Sequence, residues 1–493
     1  MLRRFAFLFF FIVLAFSAFG ETLKTLSLSK KFAKTAGTPR VIRNGFQHEW
    51  LVAWRQEGGS GKILGRIVAS DGTLGKRKTL AKGVSEFSQN LDIFYDSVAY
   101  TYLLVWEGKK GLESQVFTGV LSKQGASNVV VAGVSNAIPR LAYNASQKQF
   151  LLFWLDAANG SPHTVLKSIL LDQNGAAAGA VETLAQAGSG KTFESLSVST
   201  NQKNENLIVI VLEQSAGGSE LLGFLVKPNA TLLKSKPVTL QPDEAGLFTV
   251  GDASFADNGK GFGFWSAQTL IKYRSLSSKG KAGSEKSIPD TADSSSLQTS
   301  MLFDQRNNQF IGCWGQANKI SAVVLDASGA IEDGPFVVST NNGAIASINV
   351  ATSYDAQLGN AIVVWDDQLT GGSSAKYQTR AALFFVESAA TLQGISIGDT
   401  FFSSSNGTGD ISIKVGDTVT WTNQGNLAHT ATSGSESSSP GAVFDSGNLS
   451  PGQTFSFRFV DEGSFPYFCR IHGSSVMKGV ITVTAAGEDP PHY

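Results

Sequence analysis

Short apolar runs that end in tryptophan recur along the first four fifths of the chain. Each run reads as a buried β-strand, because it is short, strongly apolar and bounded by polar turns. The runs are 51–54, 103–106, 151–154, 262–265, 311–314 and 362–365, and 208–211 is a copy in which valine replaces tryptophan. The spacing is roughly 50 residues, which is the period of propeller blades and similar arrays. The pattern therefore predicts seven related β-rich units.

Each unit repeats the same order of strands and turns. In the third unit, strand 139–143 is followed by the polar turn 144–148, the tryptophan strand and a third strand that ends at Gly175. Equivalent glycine turns are predicted at Asp71-Gly72, Gln124-Gly125, Lys279-Gly280 and Ser328-Gly329. Glycine permits the positive φ of tight hairpins. Four strands in each of seven units predict a seven-bladed β-propeller over residues 21–388.

The last unit is one strand short. Its third strand is 380–385, and no glycine turn with a fourth strand follows. Near the start of the chain, Leu23, Leu26 and Leu28 alternate with polar residues. We predict that residues 22–29 close the last blade, which would cover an exposed sheet edge.

The repeated tryptophans have two interpretations. They could form a carbohydrate-stacking set, or they could pack between neighbouring blades. Packing is favoured, because the residue recurs at one place in every unit. A sialidase-type Ser-x-Asp-x-Gly-x-Thr-Trp box is absent from the sequence, so nothing local supports a glycosidase.

A different pattern appears near the C-terminus. Cys469, His472 and Met477 lie in one loop between two predicted strands, and His429 lies upstream before Thr430. One thiolate, two imidazoles and one thioether match the trigonal His₂Cys copper site with a weak axial methionine. Zinc is disfavoured, since its structural sites prefer more thiolates and rarely use methionine.

Residues 394–484 resemble a cupredoxin of the plastocyanin/pseudoazurin group. The matching segments are 413–423, 428–430, 452–455 and the Cys-His-Met loop. The resemblance implies a Greek-key β-sandwich over residues 389–486 and a single type 1 copper bound by His429, Cys469, His472 and Met477. The fold class is thus all-β, with a propeller followed by a cupredoxin domain.

The resemblance also implies roles for individual residues. His472 is the expected electron port, Met477 the weak axial ligand, and the backbone N–H of Thr430 a donor to the Cys469 sulfur. A partner-docking apolar rim is expected at these positions: Gly425, Leu427, Ala428, Pro440 and Gly473.

The histidine count limits the possible chemistry. The chain has five histidines, and only His48, His163 and His492 remain after two are assigned to copper. Multicopper oxidases and copper nitrite reductases need more. The domain order resembles nitrous-oxide reductase, but the two loop cysteines and the histidine-rich propeller of that family are absent from this sequence. We therefore expect an electron carrier rather than a catalyst.

Charge indicates what kind of partner to expect. The formal net charge is zero, which gives no indication of nucleic-acid binding. From Thr391 onward there are nine acidic and four basic residues, a balance of −5. This asymmetry would steer the domain towards a basic redox partner, such as a cytochrome or a copper enzyme, or it is ordinary surface charge.

The N-terminus has the pattern of a secretory signal peptide. Arg3 and Arg4 precede the apolar run 5–19, and Ala18-Phe19-Gly20 offers a cleavage site. Cleavage after residue 20 is favoured over an uncleaved anchor, because the run is short for a membrane span. We expect a periplasmic or extracellular protein with no membrane span after cleavage, and a flexible tail at 487–493.

Two functions remain open. The first is a secreted blue-copper electron-transfer protein whose propeller docks a partner. The second is a scaffold whose propeller binds a protein or glycan, with a structural or copper-sequestering cupredoxin domain.

Overall fold

The computed structural model describes residues 22–484 with short gaps. The gaps are 31, 34–37, 46, 57–60, 85–90, 145, 158–161, 202, 245–250, 268–269, 290, 292–298, 306, 356–358, 372–375, 386–392, 405–406, 415–416, 439, 442 and 460–462. The predicted signal peptide at 1–20 and the tail at 487–493 lie outside the described residues. No helix in the described part of the chain is long and apolar enough to cross a membrane.

Residues 22–385 form seven antiparallel sheets, the blades of a propeller. In chain order the strands are β1 (Thr22–Ser27), β2 (Phe32–Ala33), β3 (Arg40–Asn44), β4 (Glu49–Gln56), β5 (Gly61–Ala69), β6 (Lys78–Val84), β7 (Leu91–Asp96), β8 (Thr101–Gly108), β9 (Gly111–Thr118), β10 (Lys123–Ala132), β11 (Ile138–Asn144), β12 (Gln149–Asp156), β13 (Val165–Leu171), β14 (Glu182–Gln186), β15 (Thr192–Thr200), β16 (Leu207–Gln214), β17 (Ser219–Val226), β18 (Val238–Glu244), β19 (Asp252–Phe255), β20 (Gly261–Ala267), β21 (Leu270–Leu276), β22 (Ala282–Ser287), β23 (Thr299–Asp304), β24 (Gln309–Gln316), β25 (Lys319–Asp326), β26 (Ile331–Thr340), β27 (Ala346–Asp355), β28 (Asn360–Thr370) and β29 (Lys376–Phe385).

Blades 1 to 6 each use four consecutive strands, starting with β3. Blades 1 and 2 also join through one pair, Val84 with Gly108. Blade 7 consists of β27, β28, β29 and β1, and the short strand β2 also pairs with β29. The predicted all-β class, a propeller followed by a β-sandwich, is confirmed.

The tryptophan runs form the second strand of their blades and lie in the cores between neighbouring blades. Trp154 of blade 3 packs with Leu103 and Val105 of blade 2. Trp54 of blade 1 packs with Val364 of blade 7 in the same way. The six tryptophans of the repeat are all buried, so they offer no stacking surface to a sugar: Trp54, Trp106, Trp154, Trp265, Trp314 and Trp365.

One predicted turn is wrong. Gln124 and Gly125 lie inside β10, where the register with β9 shifts. The turn of this blade closes earlier, where the N–H of Leu121 donates to the carbonyl of Thr118 at 2.8 Å. Leu121 adopts a φ of 57° although it is not glycine. Its side chain is buried, and this burial offsets the cost of the left-handed conformation. A glycine-based rule could not locate a turn built on leucine.

The N-terminal strand β1 lies antiparallel to β29, with Leu26 opposite Ala381. Leu26 and Leu28 are 5% and 1% exposed, and they pack with Trp50 and Leu383. The chain after β1 is also tied to blade 7, since the N–H of Thr38 donates to Asp366 at 2.9 Å. The first and last parts of the propeller sequence therefore share one sheet and one core.

Residues 393–484 form a β-sandwich of two four-stranded sheets. Its strands are β30 (Gln393–Ile397), β31 (Phe402–Ser403), β32 (Ile411–Lys414), β33 (Thr418–Asn423), β34 (Thr432–Ser433), β35 (Thr454–Arg458), β36 (Gly463–Phe468) and β37 (Lys478–Thr484). One sheet has the order β31-β30-β33-β35 and the other β32-β37-β36-β34. Both contribute to one core, in which Trp421 of the first sheet packs against Tyr467 of the second. The metal centre lies at one end of this core.

Candidate metal centre

His429 lies on the segment that follows β33. Its backbone forms a bridge with Leu449: the N–H of His429 donates at 3.1 Å, and its carbonyl accepts at 2.7 Å. This bridge fixes the residue across the end of the sandwich. The His429 side chain is fully buried.

The loop after β36 carries the other sulfur and nitrogen groups. The N–H of Cys469 donates to the carbonyl of Met477 at 3.0 Å, which closes the loop at its base. Inside the loop, the carbonyl of Cys469 accepts from Gly473, and that of Gly473 accepts from Met477. Gly473 has a φ of +78°, and an added Cβ would lie 2.6 Å from Glu436 Oε1. Glycine is therefore required where the loop turns.

The fold brings three of these side chains together. Cys469 Sγ lies 3.8 Å from His429 Nδ1 and 3.5 Å from His472 Nδ1. All three atoms lie within 4.8 Å of one another. Cys469 and His429 are buried, whereas His472 is half-buried. Two imidazole nitrogens thus face one buried sulfur, with one imidazole close to solvent.

Met477 and Thr430 lie next to this cluster. Met477 is fully buried in the same hydrophobic core as Cys469. The backbone N–H of Thr430 points at Cys469 Sγ with a separation of 3.4 Å. Thr430 Oγ1 in turn accepts from the N–H of Arg470 at 2.9 Å. Thr430 therefore links the His429 segment to the cysteine loop on both sides of the sulfur.

Electrostatics favour the neutral form of His429. Burial lowers the pKa of His429, and the nearby charge of His472 acts in the same direction. Asp399 opposes this change, with its Oδ1 3.9 Å from Nε2, a distance too long for a hydrogen bond. Among the described residues, Nε2 has no hydrogen-bond partner. A neutral imidazole is the form that binds a metal.

The donor set fits copper. A thiolate and two imidazoles that converge on one point form the His₂Cys set of blue-copper sites. His429, Cys469 and Met477 are all buried, so water has little access to this side of the site. The three converging groups therefore suit one soft, redox-active ion better than an oxygen-preferring cation.

Two further residues support the site, and the sequence patterns did not single them out for this role. Asn423 is fully buried, and its Nδ2 donates to the carbonyls of Leu427 and Leu449 at 2.8 Å each. Its Oδ1 accepts from the N–H of Gly425 at 3.0 Å. In the sequence, Asn423 is the last residue of the segment 413–423 that resembles a cupredoxin. An amide side chain at the end of a predicted strand is the sequence feature that could have indicated this role.

Asp399 comes from a turn on the neighbouring strand pair. Its Oδ1 accepts from the backbone N–H groups of Asn426 and Leu427 at 2.6 and 3.2 Å. Hydrogen bonds from Asn426 hold the pKa of Asp399 below its usual value. The carboxylate thus fixes the segment that leads into His429. No local sequence motif connects the two residues, so only the fold reveals the contact.

Replacing Asn423 with alanine will weaken the domain and loosen the His429 segment. The carbonyls of Leu427 and Leu449 each lose the Asn423 donor, while that of Leu449 keeps the N–H of His429. Each lost hydrogen bond costs about 0.5–1.5 kcal/mol. We expect a lower unfolding temperature of the sandwich and a lower copper affinity, with the visible spectrum retained. Calorimetry and competition with a copper chelator measure both quantities.

The control for this change is Asn426→Ala. Asn426 is an exposed amide of the same segment, and its side chain makes one long contact with Asp399 at 3.4 Å. The two variants remove the same chemical group. Equal losses of stability in both would contradict the role assigned to Asn423.

The ligand atoms and the sandwich around them define a cupredoxin-type domain with one copper. Residues 393–484 match the family model of copper-binding proteins of the plastocyanin/azurin family. A plastocyanin from Scenedesmus fuscus is 33% identical over 78 residues, which is 15% of this chain and 80% of that protein. Through this domain, the chain belongs to the plastocyanin/azurin family.

Solved structures resemble the two parts of the chain separately. A purple cupredoxin from Nitrosopumilus maritimus is 30% identical and covers 19% of this chain and 99% of its own, with a TM-score of 0.17. The Dos1 propeller is 11% identical and covers 72% of this chain and 94% of its own, with a TM-score of 0.40. At these TM-scores, neither likeness supports a functional conclusion.

Proposed function

We propose that the protein is an exported type 1 blue-copper protein that carries one electron at a time. The copper would be held by His429, Cys469, His472 and Met477. The observation that carries this proposal is the convergence of two imidazole Nδ1 atoms on a buried thiol, at 3.5 and 3.8 Å. Bound copper would supply one-electron oxidation and reduction.

The surroundings favour electron transfer over catalysis. Three nitrogen and sulfur donors and the buried thioether of Met477 would hold the ion, which would leave no open position for a substrate. The N–H of Thr430 would stabilise the thiolate form of Cys469. Thr430 ties the His429 segment to the cysteine loop, and the hydrogen bond between Cys469 and Met477 closes that loop, so the site need not rearrange when the charge on the ion changes.

His472 provides the route to a partner. It is the half-buried ligand, and its neighbours Ile471 and Val476 are 49% and 56% exposed. Leu427, on the His429 segment, is 52% exposed. The sequence predicted Leu427 as part of the apolar rim, but it did not predict Ile471 or Val476. These apolar side chains suit a short-lived contact with a redox partner, in which water is displaced around His472.

The partner would be a basic redox protein, such as a cytochrome or another copper protein. The acidic balance of the C-terminal domain would speed the approach of a positively charged surface. In this proposal the protein works in the periplasm or outside the cell, and the propeller provides a docking or ligand-binding module.

Voltammetry of the copper-loaded chain tests the proposal. We expect a reversible one-electron wave. Met477→Leu should keep the blue colour and raise the reduction potential, because the thioether donates electron density that stabilises Cu(II). Leucine has a similar volume, so the core should be preserved.

Met301→Leu is the matched control, since Met301 is a buried methionine of the propeller. The reduction potential of the Met301→Leu protein should equal that of the unmodified protein. An unchanged potential in Met477→Leu would exclude Met477 as a ligand. A copper-loaded chain that gives no reversible wave would contradict electron transfer and favour the alternative, a propeller scaffold with a copper-sequestering domain.

A further inference from the structure

The innermost strands of the seven blades line a central channel. Side chains that alternate along these strands face it in two successive layers, since a strand repeats every two residues. One layer surrounds a cavity of about 180 Å³ and contains Arg40, Asp92, Arg140 and Asp252. Each of these residues lies opposite the residue that precedes the tryptophan of its own blade. The charges therefore come from equivalent positions in four blades.

The two carboxylates of this layer are already bonded to the protein. Asp252 accepts from the hydroxyls of Ser197 and Ser300 at 2.7 and 3.2 Å. It also accepts from the N–H groups of Ala253 and Met301. Asp92 accepts from the N–H of Leu141 at 2.7 Å. Both acids thus have protein donors along the channel wall.

The two guanidinium groups are much less satisfied. Among the described residues, Arg140 makes one hydrogen bond, from Nη1 to the carbonyl of Pro139. Arg40 has an ion pair of 3.7 Å with Asp92, and its Nε has no hydrogen-bond partner in the described part of the chain. Each guanidinium offers five N–H donors. Most of these donors therefore have no acceptor among the described residues.

The arginines also repel each other. Burial lowers the pKa of Arg140 to about 9, and the charge of Arg40 contributes to the same decrease. The charges of Asp92 and Asp252 oppose this decrease, and Arg140 is still charged at pH 7. An anion placed between them would relieve the repulsion and supply the missing acceptors.

The second layer mixes apolar and polar side chains. Its cavity of about 280 Å³ is lined by Ile42, Phe94 and Leu302 and also by Ser199, Ser254 and Ser353. Ile42 and Phe94 lie two residues beyond Arg40 and Asp92 on the same strands, so the two layers are adjacent. Both cavities share Val198, Asp252 and Thr352. One ligand can therefore extend from the charged layer to the apolar side chains of the second one.

We propose that the propeller channel binds a small carboxylate with an apolar body. The carboxylate lies between Arg40 and Arg140, and the apolar body packs against Ile42, Phe94 and Leu302 of the second layer. A planar carboxylate suits the forked donors of arginine. A single charge fits better than the double charge of phosphate, because Asp92 and Asp252 lie in the same layer. The site is independent of the copper domain.

Calorimetric titration of the full chain with 3-phenylpropionate tests this site. We expect binding at one site per chain and at least about tenfold weaker binding of 3-phenylpropionamide, which lacks the charge that the arginines bind. Acetate should also bind more weakly, since it has no body to contact Ile42, Phe94 and Leu302. Arg140→Gln should weaken 3-phenylpropionate binding by about tenfold or more.

Arg77→Gln is the control, because Arg77 is an exposed arginine outside the channel. The affinity of the Arg77→Gln protein for 3-phenylpropionate should be unchanged. Arg40→Gln serves as a second test if Arg140→Gln does not fold. The site is refuted if 3-phenylpropionate does not bind, if the amide binds equally well, or if inorganic phosphate binds more tightly. It is also refuted if every channel variant that folds keeps full affinity. None of these results depends on copper, so the blue-copper proposal stands or falls separately.

Discussion

Replacing Cys469 with alanine will abolish the blue colour of the copper-loaded protein completely. The intense visible band of a type 1 site arises from charge transfer between thiolate sulfur and copper, and no other sulfur can supply it. His429 and His472 remain, so the variant should still bind Cu(II) weakly with an ordinary, colourless spectrum. Visible absorption and electron paramagnetic resonance after one equivalent of Cu(II) measure the loss.

Cys313→Ala provides the matched control. Cys313 is the other cysteine of the chain, and it lies fully buried in the core between blades 6 and 7. Burial raises the pKa of its thiol, so it stays protonated and inert. This variant should keep the full blue spectrum. A Cys469→Ala protein that stays blue, or a Cys313→Ala protein that loses the colour, would contradict the assigned site.

Replacing Leu28 with alanine will destabilise the whole propeller. Leu28 is 1% exposed, in the core that joins the N-terminal strand to blades 1 and 7. Truncating a buried leucine costs about 2–5 kcal/mol. Because a closed ring has no spare edge, we expect the loss to lower the unfolding temperature of the propeller as a unit. Deleting residues 22–30 should lower it further, since the pairs between β1 and β29 are also lost.

Lys24→Ala is the control, because Lys24 lies in β1, which directly precedes Leu28. Lys24 is exposed and lies beside Leu383 in the β1–β29 register. Calorimetry should show nearly the same propeller transition as in the unmodified protein. If Leu28→Ala behaved like Lys24→Ala, the N-terminal strand would not hold the ring closed.

The ligand loop and the repeat could be recognised from the sequence for the same physical reason. Both are local patterns. Cys469, His472 and Met477 belong to one short loop, so their spacing nearly fixes which groups can converge. The tryptophan runs recur at one position in a repeated unit, and burial follows from their apolar character. Such features need no knowledge of distant contacts.

Turn positions were less predictable. Gly125 has a positive φ, as the glycine rule expects, but it lies within β10. The turn itself forms at Leu121, because contacts between its buried side chain and the neighbouring strands stabilise this turn position. Tertiary packing overrides local conformational preference at this position.

By itself, the sequence determined the all-β class, the single copper and the order of the propeller and the cupredoxin domain. Only the tertiary structure decided which separated groups meet. His429 approaches Cys469 from 40 residues away. Asn423 and Asp399 hold its segment through backbone contacts that no motif encodes. The charges of the channel lie in four different blades, and alternation shows only which side of a strand they occupy. Their convergence depends on closure of the ring, which is a property of the whole fold.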